Sequence, residues 1–237
     1  MPKNFLLLLF YFLIASGASA ETCRIGENDA ILAPSPKITS SWQSKYENQK
    51  LRAIQINSGV MLIGDSMIER WPSDMLTAAF DGAEILNLGI GGDRTQHVLW
   101  RLNNLDLSQQ NPAYTILLIG TNNLTRLDSA CSIAASIEKI VMTIRHLMPR
   151  TKILIIGILP RGDAFSYRKE EISDINLKLK SLQDQQITFI NPSSVFSKPE
   201  EEKENFIPDR IHLTRHGYGK LTQLLQQHLA KSQTLLR

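Results

Sequence analysis

"YTILLIGTNN", residues 114–123, runs apolar without a break from Ile116 to Ile119 and then turns abruptly to glycine and small polar residues. An alternating pattern would mark a strand with one wet face. An unbroken one suits a strand covered on both, as in a parallel sheet sandwiched between helices. Four further stretches have the same form: "GVMLIG" (59–64), "EILNLG" (84–89), "KILIIGIL" (152–159) and "ITFIN" (187–191). Each is short and bounded by polar or turn residues, so the chain reads as five strands.

The segments between them carry helical spacing. Helices are expected over 67–81, 93–104, 129–148, 167–184 and 215–232, with one more over 38–55 ahead of the first strand. In 129–148, Ile133, Ile137, Ile140, Val141, Ile144 and Leu147 recur three and four residues apart, which is the apolar stripe of an amphipathic helix. Strand and helix alternate to the end of the chain, predicting an α/β fold, a doubly wound sheet with right-handed crossovers. In such sheets the ligand site lies beyond the carboxyl ends of the strands. "GDSM" (64–67) follows the first run, "GIGGD" (89–93) the second and "GTNN" (120–123) the third, while "DRIH" (209–212) precedes the last helix. All four are expected along one edge of the sheet.

The 237 residues are 43% hydrophobic and 21% charged, with a formal net charge of +3, the balance of a globular protein with one core. Basic residues are scattered, and "KYENQKLR" (45–52) reads as the solvated face of a helix, so no nucleic acid is expected as partner. "MPKNFLLLLFYFLIASGASA" (1–20) combines Lys3, an apolar stretch from Phe5 to Ile14 and the small residues Ala18-Ser19-Ala20. That is the layout of a secretory signal peptide cleaved after Ala20. The alternative is an uncleaved anchor, but the stretch falls short of the ~20 residues that a membrane span needs. The expected division is signal peptide 1–20, N-terminal extension 21–37 and one domain over 38–237, secreted or periplasmic, with no stable membrane span after cleavage. In an exported chain Cys23 and Cys131 allow one disulfide; two unpaired thiols are the alternative, because sequence does not give their separation.

"NLGIGGDRT" (87–95) puts three glycines in four positions. It begins like a dinucleotide fingerprint at Gly89 and Gly91, but Arg94 holds the place of the last glycine, and the Lys-Ser/Thr of a phosphate-binding P-loop is absent as well. Turn glycines are the bland reading. The company of the glycines suggests another use. Ser66 sits at a strand end where a helix starts; alone it would be a helix cap. His212 and Asp209 supply what a nucleophilic serine needs, a base for its proton and a carboxylate to hold the imidazole. His97, His146, His216 and His228 all fall in expected helices, and His216, the near rival, has no acid at a useful spacing before it. Acyl transfer also needs donors aimed at the oxygen that becomes negative: the N–H of Gly92, the side-chain amide of Asn122 and the N–H of Ser66 are the candidates.

Together the four stretches resemble the blocks of the SGNH hydrolases, also called the GDSL lipase/esterase family, with Met67 where Leu is usual and Asn123 where Asp is common. The run "NLGIGGDRTQHVLWRL" (87–102), with "GTNN" and "LPRG" (159–162), is similar to the platelet-activating-factor acetylhydrolase-like branch of that family. The likeness extends from about Trp42 to the end of the chain. It implies a flavodoxin-like three-layer α/β/α sandwich with a five-stranded parallel sheet. It implies Ser66 as nucleophile, His212 as base, Asp209 as its orienting partner, and Ser66, Gly92 and Asn122 as the oxyanion hole. No cofactor and no metal are implied, and a homodimer is compatible with it. The expected function is a serine esterase acting on short-chain acyl esters, acetyl above all, of a small-molecule, glycan or lipid substrate. Competing readings are a carbohydrate or peptidoglycan O-acetyl esterase, a lysophospholipase or lipase, and a non-catalytic binding protein on the same fold.

Overall fold

The computed structural model describes residues 29–234, so the expected signal peptide, its cleavage site and Cys23 lie outside the described residues. The five apolar runs form β1 (Val60–Gly64), β2 (Ile85–Gly89), β3 (Tyr114–Leu118), β4 (Lys152–Ile156) and β5 (Ile187–Ile190). They pair in parallel in the order β2-β1-β3-β4-β5, the flavodoxin-like order. Gly64, the last residue of β1, lies level with Gly89 of β2 and Leu118 of β3. The loops after these three strands therefore leave the sheet at one height, at the point where the strand order reverses.

The helices are α1 (Ser40–Gln55), α2 (Ser66–Glu69), α3 (Ser73–Ala79), α4 (Thr95–Asn104), α5 (Thr121–Thr125), α6 (Ala130–Leu147), α7 (Lys169–Lys180), α8 (Glu202–Asn205) and α9 (Arg215–Thr234). Side chains of a strand point alternately to opposite faces, and here both faces are covered. Met61 and Ile63 of β1 join the core beneath α1, α4, α6 and α7, whereas Val60 and Leu62 join the one beneath α3 and α9. This is why the strands read as unbroken apolar runs.

Several boundaries differ from the sequence expectation for local reasons. The stretch 67–81 is two helices because Pro72 lacks an N–H and disfavours helical backbone at Trp71. The fourth strand stops at Ile156 because the Asn176 side chain takes over the Ile158 backbone, accepting from its N–H at 2.8 Å and donating to its carbonyl at 2.9 Å. Leu147, placed by periodicity on the apolar stripe, is exposed at the last turn of α6, and Met148 is buried instead. "KYENQKLR" is solvated only in part, since Tyr46 and Gln49 face inward. "PEEEKENF" (199–206), which reads as a solvated loop, holds α8 with Glu202 and Asn205 buried; Glu202 accepts from the Ala164 N–H at 2.7 Å and pairs with Arg210 at 3.1 Å.

The described part of the expected extension is strapped to the domain. Ile31 enters the core, Ser136 Oγ donates to the Ile31 carbonyl at 2.9 Å, Lys139 Nζ donates to that of Leu32 at 3.1 Å, and the Ser35 N–H reaches the Gln96 carbonyl. Cys131, at the start of α6, is disulfide-bonded, so the free-thiol alternative fails for it.

Candidate active site

β1 ends at Gly64 and α2 begins at Ser66, so the serine is delivered at the rim by a strand-to-helix turn. Asp65 caps α2: its carboxylate accepts from the Met67 N–H at 2.9 Å. Two residues of the next loop explain part of the glycine run. A β-carbon on Gly89 would lie 2.3 Å from the Glu69 nitrogen, so only glycine lets the end of β2 meet α2. Gly92 has φ +76, a left-handed conformation that glycine adopts at little cost.

From the other end of the chain, the turn before α9 brings His212 to Ser66. The two are 146 residues apart, and Ser66 Oγ lies 2.7 Å from His212 Nε2. His212 Nδ1 lies 2.6 Å from Asp209 Oδ2, while Asp209 Oδ1 accepts from the N–H groups of Ile211 and His212, both at 2.9 Å. Burial raises the Asp209 pKa, but the His212 N–H, the imidazole and the Ile211 N–H together outweigh it and hold the carboxyl below its ordinary range. An ionised Asp209 takes the Nδ1–H, which leaves the Nε2 lone pair to accept from the Ser66 hydroxyl. The turn is fixed by Arg210, whose φ of 55 is unusual for a non-glycine residue. Its carbonyl accepts from the Gly162 N–H at 3.1 Å and its guanidinium pairs with Glu202 and Asp163. On the far side, Tyr218 of α9 donates to the Met67 carbonyl at 2.9 Å, and Trp71 donates to Thr222 at 3.0 Å. These bonds lock α9 against the segment that carries the serine.

Gly92 and Asn122 line one open cleft. Asn122 donates one amide hydrogen to the Asp93 carbonyl at 2.8 Å, which ties the loop after β3 to the loop after β2 and leaves its second amide hydrogen available. The Gly91 N–H donates to Glu69 Oε2 at 3.0 Å, so Gly92 carries the unengaged N–H of that loop. Beneath it Asp93 is wholly buried. It receives Trp42 Nε1 at 2.6 Å and pairs with Arg101 at 2.8 Å; Arg101, 1% exposed, also donates to the carbonyls of Leu88 and Gly64 and to Gln49. One guanidinium thus joins α1, β1, β2 and the glycine loop.

Sequence reasoning passed over this Asp93–Arg101 pair; the only signal was an Asp and an Arg eight residues apart beside a glycine loop. Asn123, read there only as a departure from the family block, accepts from the Thr95 N–H at 2.9 Å and donates to Asp128 at 2.9 Å. Arg161 is buried and donates to the Thr121 carbonyl and hydroxyl at 2.9 and 2.7 Å. His216 is exposed on α9, outside the Ser66–His212–Asp209 chain. Among the described residues no group of three or more His, Cys, Asp and Glu side chains could hold a metal ion.

The model of the GDSL-like lipase/acylhydrolase family matches residues 58–220. Platelet-activating factor acetylhydrolase IB subunit alpha2 of Rattus norvegicus is 32% identical over 191 residues, covering 78% of this chain and 82% of the relative. A solved GDSL-like lipase from Bacteroides thetaiotaomicron superposes with a TM-score of 0.61 at 19% identity, covering 79% of this chain and 98% of that one. A family 3 carbohydrate esterase from Clostridium thermocellum gives 0.58 at 18% identity, covering 74% and 97%. At these identities the two structures establish the fold alone.

Proposed function

This chain belongs to the GDSL-like lipase/acylhydrolase family and is a hydrolase of esters; from that premise we propose that it works as a serine esterase through an acyl-enzyme. Ser66 Oγ attacks the ester carbonyl while His212 Nε2 takes its proton, and Asp209 stabilises the resulting imidazolium. The carbonyl oxygen, negative in the tetrahedral intermediate, is met by the N–H groups of Ser66 and Gly92 and the free amide hydrogen of Asn122. Collapse expels the alcohol, which receives the proton from His212. Water, activated by the same base, then releases the acid and restores the serine.

The observation that carries this reading is the unbroken hydrogen-bonded chain from Ser66 through His212 to Asp209. A short acyl group, acetyl in the first place, is favoured by the likeness to a relative named an acetylhydrolase. The leader-like residues 1–20 add the proposal that the ester is met outside the cytoplasm, which fractionation of the producing cell would test. The enzymatic test is hydrolysis of 4-nitrophenyl esters from acetate to palmitate, and of acetylated glycans, by wild type beside Ser66→Ala. Turnover of acetate well above palmitate, lost in the variant, is expected. Equal rates for the two proteins would overturn the serine mechanism, and a palmitate optimum would overturn the short-chain reading.

A further inference from the structure

The cleft that holds Gly92 and Asn122, about 360 Å³ in volume, is strongly one-signed. Lys37, Arg94 and Arg126 line it together with His97, and no carboxylate does. Among the described residues none of the three cations is paired with an acid. Lys37 arrives from the strapped segment ahead of α1, outside the stretch that matches the family model. Its ammonium stands over the glycine loop, so near that a β-carbon on Gly92 would come within 2.9 Å of Nζ. The buried His97 feels the same field: desolvation first, then Arg94, Lys37 and Arg101 push its pKa down to about 4. Its Nδ1 accepts from the Arg94 N–H at 3.1 Å, so the neutral ring adds no charge to that of the cations.

Three like charges lining one open cleft raise a positive potential across it. The arrangement gains from an anion placed there, and the donors proposed for the oxyanion share the same wall. We propose that the cleft seats an anionic group of the substrate, a carboxylate or phosphate borne near the scissile carbonyl, and so makes the enzyme selective for negatively charged esters. This rests on the esterase reading above. Ile38, 87% exposed beside Lys37 at the rim, gives the charged group an apolar neighbour but no competing counter-ion.

Two matched pairs of esters locate the charge. 4-Nitrophenyl hydrogen succinate against 4-nitrophenyl butyrate puts it on the acyl side; 4-acetoxybenzoate against its methyl ester puts it on the leaving alcohol. The quantity read is the anionic-to-neutral ratio of kcat/KM, compared between wild type and the double variant Lys37→Gln/Arg126→Gln, so that intrinsic reactivity cancels. One pair should lose about tenfold in that ratio, and the loss should shrink at high salt. A ratio unchanged in both pairs, with neutral esters still hydrolysed, would overturn the anion site and leave the esterase reading intact. If none of the four esters is turned over, the esterase reading fails. Calorimetric titration of wild type and double variant with succinate and with inorganic phosphate then decides the cleft: binding weakened in the variant sustains it, and no binding to wild type overturns it.

Discussion

Ser66, His212 and Asp209 form a hydrogen-bonded chain to which the proposed mechanism gives one role each, so single substitutions should separate the roles. His212→Ala should lower kcat by on the order of 10⁴- to 10⁶-fold, and Asp209→Asn by about 10⁴-fold, since an amide can hold the ring in the wrong tautomer. Asn122→Ala should cost about 10²- to 10³-fold in kcat with a smaller change in KM if, as proposed, its second amide hydrogen meets the charge that develops only during reaction; steady-state kinetics on one neutral ester checks all three. These residues stood out in the sequence as candidates because a nucleophile, a base and donors are distinct residue types at turn positions. Asp65, beside the nucleophile, was not. Burial pushes its pKa up to about 7, and its second carboxylate oxygen has no partner. The unfolded chain would release that proton near 3.8, so stability is fully present below that pH and lost as pH rises toward 7, by roughly 4 kcal/mol at about 1.36 kcal/mol per unit. Asp65→Asn keeps an acceptor for the Met67 N–H without the charge. Its denaturant midpoint should match wild type near pH 4 and exceed it near pH 8; a difference independent of pH would contradict the assignment.

Elements were legible where one principle ruled and illegible where a side chain intervened. The strands announced themselves because most of their residues are buried on both faces, β2 alone alternating partly exposed Ile85 and Asn87 with buried Leu86 and Leu88. Pro72 was visible in the sequence, yet the apolar residues on either side of it suggested one helix where the backbone makes two. The end of β4 could not be read at all, because it depends on Asn176 reaching from α7 to both polar groups of Ile158. Replacing that amide by leucine would strand a buried donor and acceptor, each worth about 1–3 kcal/mol when left unsatisfied. Asn176→Leu should therefore unfold at clearly lower denaturant with its helical circular dichroism intact before the transition. An unchanged midpoint would mean that β4 ends for another reason. The α8 segment shows the same limit: its charged composition signals solvent, while Glu202 is drawn inward by Ala164 and Arg210.

At the scale of the whole molecule, the rim is assembled from segments that only the strand order β2-β1-β3-β4-β5 makes neighbours, and Arg101 fastens the parts together. Removing one member of such a buried pair leaves an uncompensated charge, so Arg101→Met should cost about 3–5 kcal/mol. Asp93→Asn added to it should recover part of the loss, a coupling that chemical unfolding of the four proteins would measure. The sequence order of strands and helices foretold which loops share the rim; it held no sign of a guanidinium spanning α1, β1 and β2, because that contact exists only once all three are packed. The meeting of Ser66 with His212 across 146 residues is the product of this assembly and the centre of the account. Incubation of the folded protein with a fluorophosphonate, followed by peptide mass mapping, tests it most directly. A single covalent adduct on Ser66, much slower to form in His212→Ala, is predicted. An unmodified Ser66 in protein that still hydrolyses esters, or an adduct on a different serine, would contradict it.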